Sequence, residues 1–358
     1  MMRVLHLIDS QADFQTRRCA EQLSRSLLGP DVLIETRVIP PVAVPWRFLS
    51  AWRNLRYGGD FDLVHAWGPA ALAAAVLGTR QRLLYTPPVD IGPRAAHWLT
   101  AILPYRDLQV ICPSGSLHRA LVSHGVPLER CHLIRPGVDF ARIRRRKDPA
   151  FRAALGLADT DYVLLAAGES TRAASHEDAI WAAGILQKLD PRYKLLLWGR
   201  GSRLPALEQF HRTVGDIPFV HIAEQRLGRS VDFEELLPAA DLIINSATGS
   251  VSLLPLQIVM AGALPIVSTV TYTASELLED HHTALMAPKH SPRLLAQRIL
   301  ELREDPTLQW QMADTARAEA YEFFPLTHFL EEYRQLYRQL ATGNPPPPAA
   351  TPSLPHTA

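Results

Sequence analysis

The chain has 358 residues, 47% hydrophobic and 20% charged, a balance that builds globular cores and, at about 100 to 200 residues per domain, two of them. Its 37 basic and 36 acidic residues leave a net charge of +1, so no overall field favours nucleic acid, which is excluded as a partner, or an anionic membrane. Cys19, Cys112 and Cys131 are odd in number and never spaced as CxxC, which excludes a disulfide framework and a zinc site and predicts buried reduced thiols.

The opening MMRVLHLIDS contains an apolar run of only about six residues, far short of a signal peptide or a spanning helix, and predicts a cytoplasmic protein. Short apolar runs of the kind buried on both faces then alternate with helical patterns, which predicts βα units around parallel sheets. The first half supplies strands at 4–8, 32–39, 62–67, 82–86, 108–114 and 132–136, with helices near 15–28, 69–78 and 116–124. Between them, Trp46, Phe48, Leu49, Trp52 and Leu55 interleave with Arg47, Arg53 and Arg56. That pattern reads either as a membrane-surface helix, making peripheral membrane association a partner reading, or as a helix packed on its own domain.

The basic run RIRRRK at 142–147, followed by Asp148-Pro149, marks the domain boundary, because the residue before a proline is driven away from helix. A second series of strands follows at 162–168, 194–199, 219–223, 242–246 and 265–269, with helices near 176–189 and 204–214. Ser175 followed by Asp178 reads as a capping box starting the first of these helices. The stretch 239–269 reads as strand, small-residue loop, buried helix and strand, an order that aims a helix N-terminus and its backbone N–H groups at an anion. The expected divisions are residues 1–145, 146–325, a C-terminal helix at 326–341 that packs back on the first domain, and a Pro-rich tail at 342–358 that does not pack. The fold class is α/β, with two doubly wound Rossmann-like domains facing each other across a cleft where ligands of such sheets bind.

Specific segments carry a family likeness: DLVHAWG (62–68), VICPSGSLHRALVSHGVPLERCHLIRPGVDFARI (110–143), VLLAAGES (163–170), KLLLWGRGS (194–202), LLPAADLIINSA (236–247) and VMAGALPIV (259–267). Their order resembles the retaining glycosyltransferases of the two-Rossmann-domain (GT-B) type, family 4 group, over residues 2–340. The resemblance implies a first domain on the acceptor side and a second on the donor-nucleotide side. It also implies transfer of a sugar from a nucleoside diphosphate sugar to a hydroxyl acceptor, with no cofactor and no metal.

The family's site residues carry over unevenly. Its Arg after the glycine that ends the first strand of domain two falls on Glu169, beside Gly168, and its Lys falls on Ala174; Arg172 is the near substitute for phosphate recognition. The two glutamates eight positions apart fall on Gly249 and Gln257 when aligned from the left, and on Ser250 and Ile258 when aligned from Pro265. Gly168, Arg172, Gly199, Gly249, Ser250, Val251 and Gln257 are therefore the candidate donor-binding residues. Asp139 belongs to the cleft mouth. His65, read at a strand end facing the cleft, is the candidate catalytic group, positioning an acceptor or taking its proton. The missing carboxylates leave open a second reading, a relative of the family that binds or scaffolds without turnover.

Overall fold

A computed structural model describes residues 2–26, 32–41, 60–214 and 219–342. The aromatic and arginine segment at 46–56 and the tail from 343 lie outside the described residues. The chain divides into two units: one runs to Gly137 and resumes at Leu326, and the other spans Val138–Pro325.

The first unit holds a six-stranded, all-parallel sheet of β1 (Met2–Asp9), β2 (Val32–Ile39), β3 (Leu63–Trp67), β4 (Arg82–Thr86), β5 (Leu108–Cys112) and β6 (Cys131–Leu133), in the order β2-β1-β3-β4-β5-β6. Successive strand residues point to opposite faces, and both faces are covered, which is why these strands read as unbroken apolar runs. Leu83, Tyr85, Val110 and Cys112 pack with Ala71, Ala74, Leu99 and Leu121 on one side. Val4, Leu63, Leu84 and Ile111 pack with Cys19 and Leu23 on the other, where Phe329, Tyr333 and Tyr337 complete the layer. The last helix, Leu326–Thr342, thus supplies the first unit with part of its core.

The second unit repeats the plan with β7 (Tyr162–Ala166), β8 (Tyr193–Leu197), β9 (Val220–Ile222), β10 (Leu242–Asn245), β11 (Ile266–Thr269) and β12 (Leu285–Ala287), all parallel, in the order β9-β8-β7-β10-β11-β12. Its core joins Leu164, Ala166, Leu195 and Leu197 to Ala179, Ala183 and Leu186 of the helix His176–Leu189 and to Leu295 and Ile299 of the helix Pro292–Glu304.

The division between units comes at Gly137–Val138, before the basic run and not within it. The run is built into the second unit by its ends: Arg142 pairs with Asp232 at 2.6 Å and Glu234 at 3.1 Å, and Lys147 pairs with Asp241, which also holds the buried Arg152 at 2.6 Å. Some elements carried too little pattern to be predicted. The helix Pro93–Ile102 buries only Ala96 and Leu99, and β12 is three residues long. Among the described residues no helix is long and apolar enough to cross a membrane, and all three cysteines are free and buried.

Candidate functional site

In a doubly wound sheet, ligands bind beyond the carboxyl ends of the two neighbouring strands whose connections leave in opposite directions. In the second unit those strands are β7 and β10, and the loops that leave them are stitched together. After β7 the chain reverses through Gly168, at φ 78°, where a Cβ would meet Pro255 at 3.4 Å. The Ala173 carbonyl accepts from the N–H groups of Thr248 at 2.8 Å and Gly249 at 3.3 Å, and the Ala174 carbonyl accepts from the Ser246 hydroxyl at 3.0 Å. The loop after β8 closes the other side: Ser170 donates its N–H to Arg200 at 2.7 Å and accepts from the N–H of Arg203 at 2.9 Å.

Gly168 thereby lies against Pro255 of the helix Leu254–Gly262, and Gly249 is bonded to Ala173, next in the chain to Arg172. Ser250 and Val251 are half-buried on the approach to that helix. Leu253, the residue before the first turn, makes no side-chain capping bond. Pro255, having no N–H, leaves that end one backbone donor fewer than a proline-free helix would offer. Arg172 is exposed and has no ion-pair partner among the described residues, whereas its neighbours are already engaged: Arg200 holds Glu224 at 3.1 Å and Arg203 holds Glu177 at 2.7 Å. Gln257, one turn into the helix, is 0% exposed, and neither its amide nitrogen nor its amide oxygen has a hydrogen-bond partner. Ile258, the alternative from the second alignment, is buried and apolar.

Other candidates sit elsewhere. Gly199, at φ 102°, faces Glu224 and Ile222, against which a Cβ would come to 3.1 Å. Asp139 caps the short turn Phe140–Arg142 by accepting from the N–H of Ala141 at 3.1 Å. Ser175 precedes the helix His176–Leu189 as expected, but no capping box forms. At φ 48° its hydroxyl donates to the Asp178 carboxylate at 3.0 Å and does not accept from a backbone N–H.

His65 requires a correction. It is the middle residue of β3, paired in register with His6 and Leu84, and is wholly buried. Its Nδ1 bonds the Tyr337 hydroxyl at 2.7 Å and its Nε2 the Thr86 hydroxyl at 2.9 Å; Tyr337 also reaches His6 Nε2 at 2.9 Å. Burial holds both imidazoles well below their usual range, His6 down to about 3. With both ring nitrogens engaged inside the core, His65 ties the last helix to the sheet and offers nothing to an acceptor.

The first unit's own switch point, between β1 and β3, is filled from within. Asp9 at the end of β1 accepts from the N–H of Gln11 at 2.9 Å and from Ala70, at the start of the helix Pro69–Gly78, at 3.1 Å. A carboxylate already sits where an anion would bind that helix.

Fold and site thus define a protein of two doubly wound α/β units, with a carboxylate at the switch point of the first and an exposed arginine in the loop after β7 of the second. The Glycosyltransferase Family 4 model matches residues 28–142, and the Glycosyl transferases group 1 model matches residues 161–305. The chain belongs to this family of GT-B glycosyltransferases. It superposes on Alr3699/HepE of Anabaena, solved in complex with UDP and glucose, with a TM-score of 0.79 at 17% identity over 94% of this chain and 100% of that one. Sucrose-phosphate synthase from Thermosynechococcus elongatus gives a TM-score of 0.76 at 17% identity, covering 96% of this chain and 100% of that one. A glycosyltransferase from Rickettsia africae gives 0.72 at 16% identity, covering 95% and 98%. No curated protein matches in sequence.

Proposed function

We propose that the sugar donor is a nucleoside diphosphate sugar, that its diphosphate is held at the β7/β10 switch point, and that a hydroxyl group accepts the sugar. The observation that carries this reading is the contrast between the two switch points: Asp9 occupies the one in the first unit, while at the one in the second Arg172 is exposed and has no ion-pair partner among the described residues. In such a transfer the bond between the anomeric carbon and the β-phosphate oxygen breaks as the acceptor oxygen bonds to that carbon, negative charge grows on the departing diphosphate, and the acceptor's hydroxyl proton passes to a departing phosphate oxygen. A guanidinium and a helix N-terminus already in place stabilise that charge without reorganising. Retention of configuration is proposed from the family.

The complexes of Alr3699/HepE with UDP and glucose and with UDP-glucose support a donor of this class. Gln257 is 0% exposed, so a ribose hydroxyl meets its amide only when the segment that covers it moves aside.

Calorimetric titration with UDP-, GDP- and ADP-glucose tests the reading. At least one should bind saturably, and Arg172→Ala should weaken it by roughly tenfold, the scale of a lost charge-assisted contact. Heat from none of the three would overturn the donor assignment, and an unchanged dissociation constant in Arg172→Ala would remove that residue from the site.

A further inference from the structure

The segment that displays Arg172 is held by a feature the transfer reaction has not yet used. Ser170 and His176 are each 1% exposed and lie at opposite ends of the loop. His176 Nε2 is 3.2 Å from the Ala167 carbonyl, which can only accept, so the proton is on Nε2. The Nδ1 lone pair therefore accepts from the Ser170 hydroxyl at 3.0 Å. Carbonyl, imidazole and hydroxyl form one buried chain that links the end of β7 to the start of the helix His176–Leu189.

Its effect on the loop follows from what else is fixed. The Ser170 backbone is bonded on both sides, to Arg200 and Arg203, and the carbonyls of Ala173 and Ala174 are bonded to the loop after β10. Between these anchors Thr171 and Arg172 form an arch closed on itself, with Thr171 donating its N–H to the Glu169 carbonyl at 2.9 Å and its hydroxyl accepting from the Ala174 N–H at 3.2 Å. Gly168 and Ser175 turn at its two ends with φ of 78° and 48°. The bond between Ser170 and His176 runs across the base of the arch, from one foot to the other. Losing it leaves the backbone anchors in place and loosens the feet of the arch, so the backbone that carries the guanidinium would sample more positions.

We propose that Ser170 and His176 are positioning residues for donor binding, acting through Arg172 by fixing the arch that presents its guanidinium to the diphosphate. The proposal rests on the reading of Arg172 as a diphosphate ligand.

A double-mutant cycle separates the two. The probe is whichever of UDP, GDP and ADP binds the wild-type protein most tightly, measured by calorimetry on the full chain. Arg172→Ala, Ser170→Ala and the double variant are compared, with thermal unfolding as the check of folding. Arg172→Ala and Ser170→Ala should each weaken binding, the latter by about tenfold or less. The double variant should bind no more weakly than Arg172→Ala alone, because a lock has no effect once its bolt is gone. His176→Asn keeps an acceptor near the Nδ1 position and should retain more affinity than His176→Ala. It also serves as the second variant if Ser170→Ala fails to fold. A full additive loss in the double variant, or unchanged binding in Ser170→Ala with Arg172→Ala impaired, would overturn the positioning role and leave Arg172 as a ligand. Unchanged binding in Arg172→Ala would overturn both.

Discussion

Gln257 is a wholly buried primary amide with no hydrogen-bond partner on either polar atom among the described residues. Leaving such a group unpaired costs about 1 to 3 kcal/mol, so Gln257→Met, close in length and without the amide, should raise the unfolding free energy of the ligand-free protein by about 1 kcal/mol. Denaturant titration checks this, and a lower stability would mean that the amide already finds a partner in solution. The same substitution should weaken donor binding if the amide meets the ribose. Gln257 and Arg172 were legible as residue types out of place in a family pattern. The role of His65 was not, because its neighbour Tyr337 lies 272 residues away, and strand periodicity says nothing about which helix returns to cover which face.

At the scale of elements, the strands were legible because burial on both sheet faces selects unbroken apolar runs. Helix ends were less so, because they depend on single dihedral angles. The helix Leu254–Gly262 ends at Ala263 with φ 53°, a left-handed conformation that costs an L-residue about 1 to 2 kcal/mol and that glycine adopts freely. Set against the larger entropy glycine loses on folding, Ala263→Gly should stabilise the protein by about 0.5 to 1 kcal/mol. A lowered denaturation midpoint would contradict this. Ser175 shows the same limit: its sequence position matches a cap, yet a φ of 48° turns its hydroxyl to Asp178. The basic run at 142–147 looked like a linker because its acidic partners, Asp232, Glu234 and Asp241, are about ninety residues ahead and join it only in three dimensions.

For the whole molecule, buried imidazoles link folding to pH. Burial lowers His6 to about 3, His132 and His176 to about 4, and His65 well below 6.5. In the unfolded chain all four titrate near 6.5. Between about pH 6.5 and 4 the unfolded chain therefore binds protons that the folded chain refuses, so stability is full above that window and falls as pH drops through it. Asp13 and Glu332, both shifted upward by burial, the latter to about 7, oppose this. The denaturation midpoint should be distinctly lower at pH 5 than at pH 7.5, and an equal midpoint would show that these histidines are not shielded as described.

The most direct measurement is a crystal structure of the protein with its tightest-binding nucleoside diphosphate. The account predicts density for the diphosphate between Arg172 and the start of the helix Leu254–Gly262, with the ribose beside Gln257. Nucleotide density at Asp9 in the first unit, or a guanidinium turned away from the phosphates, would contradict it.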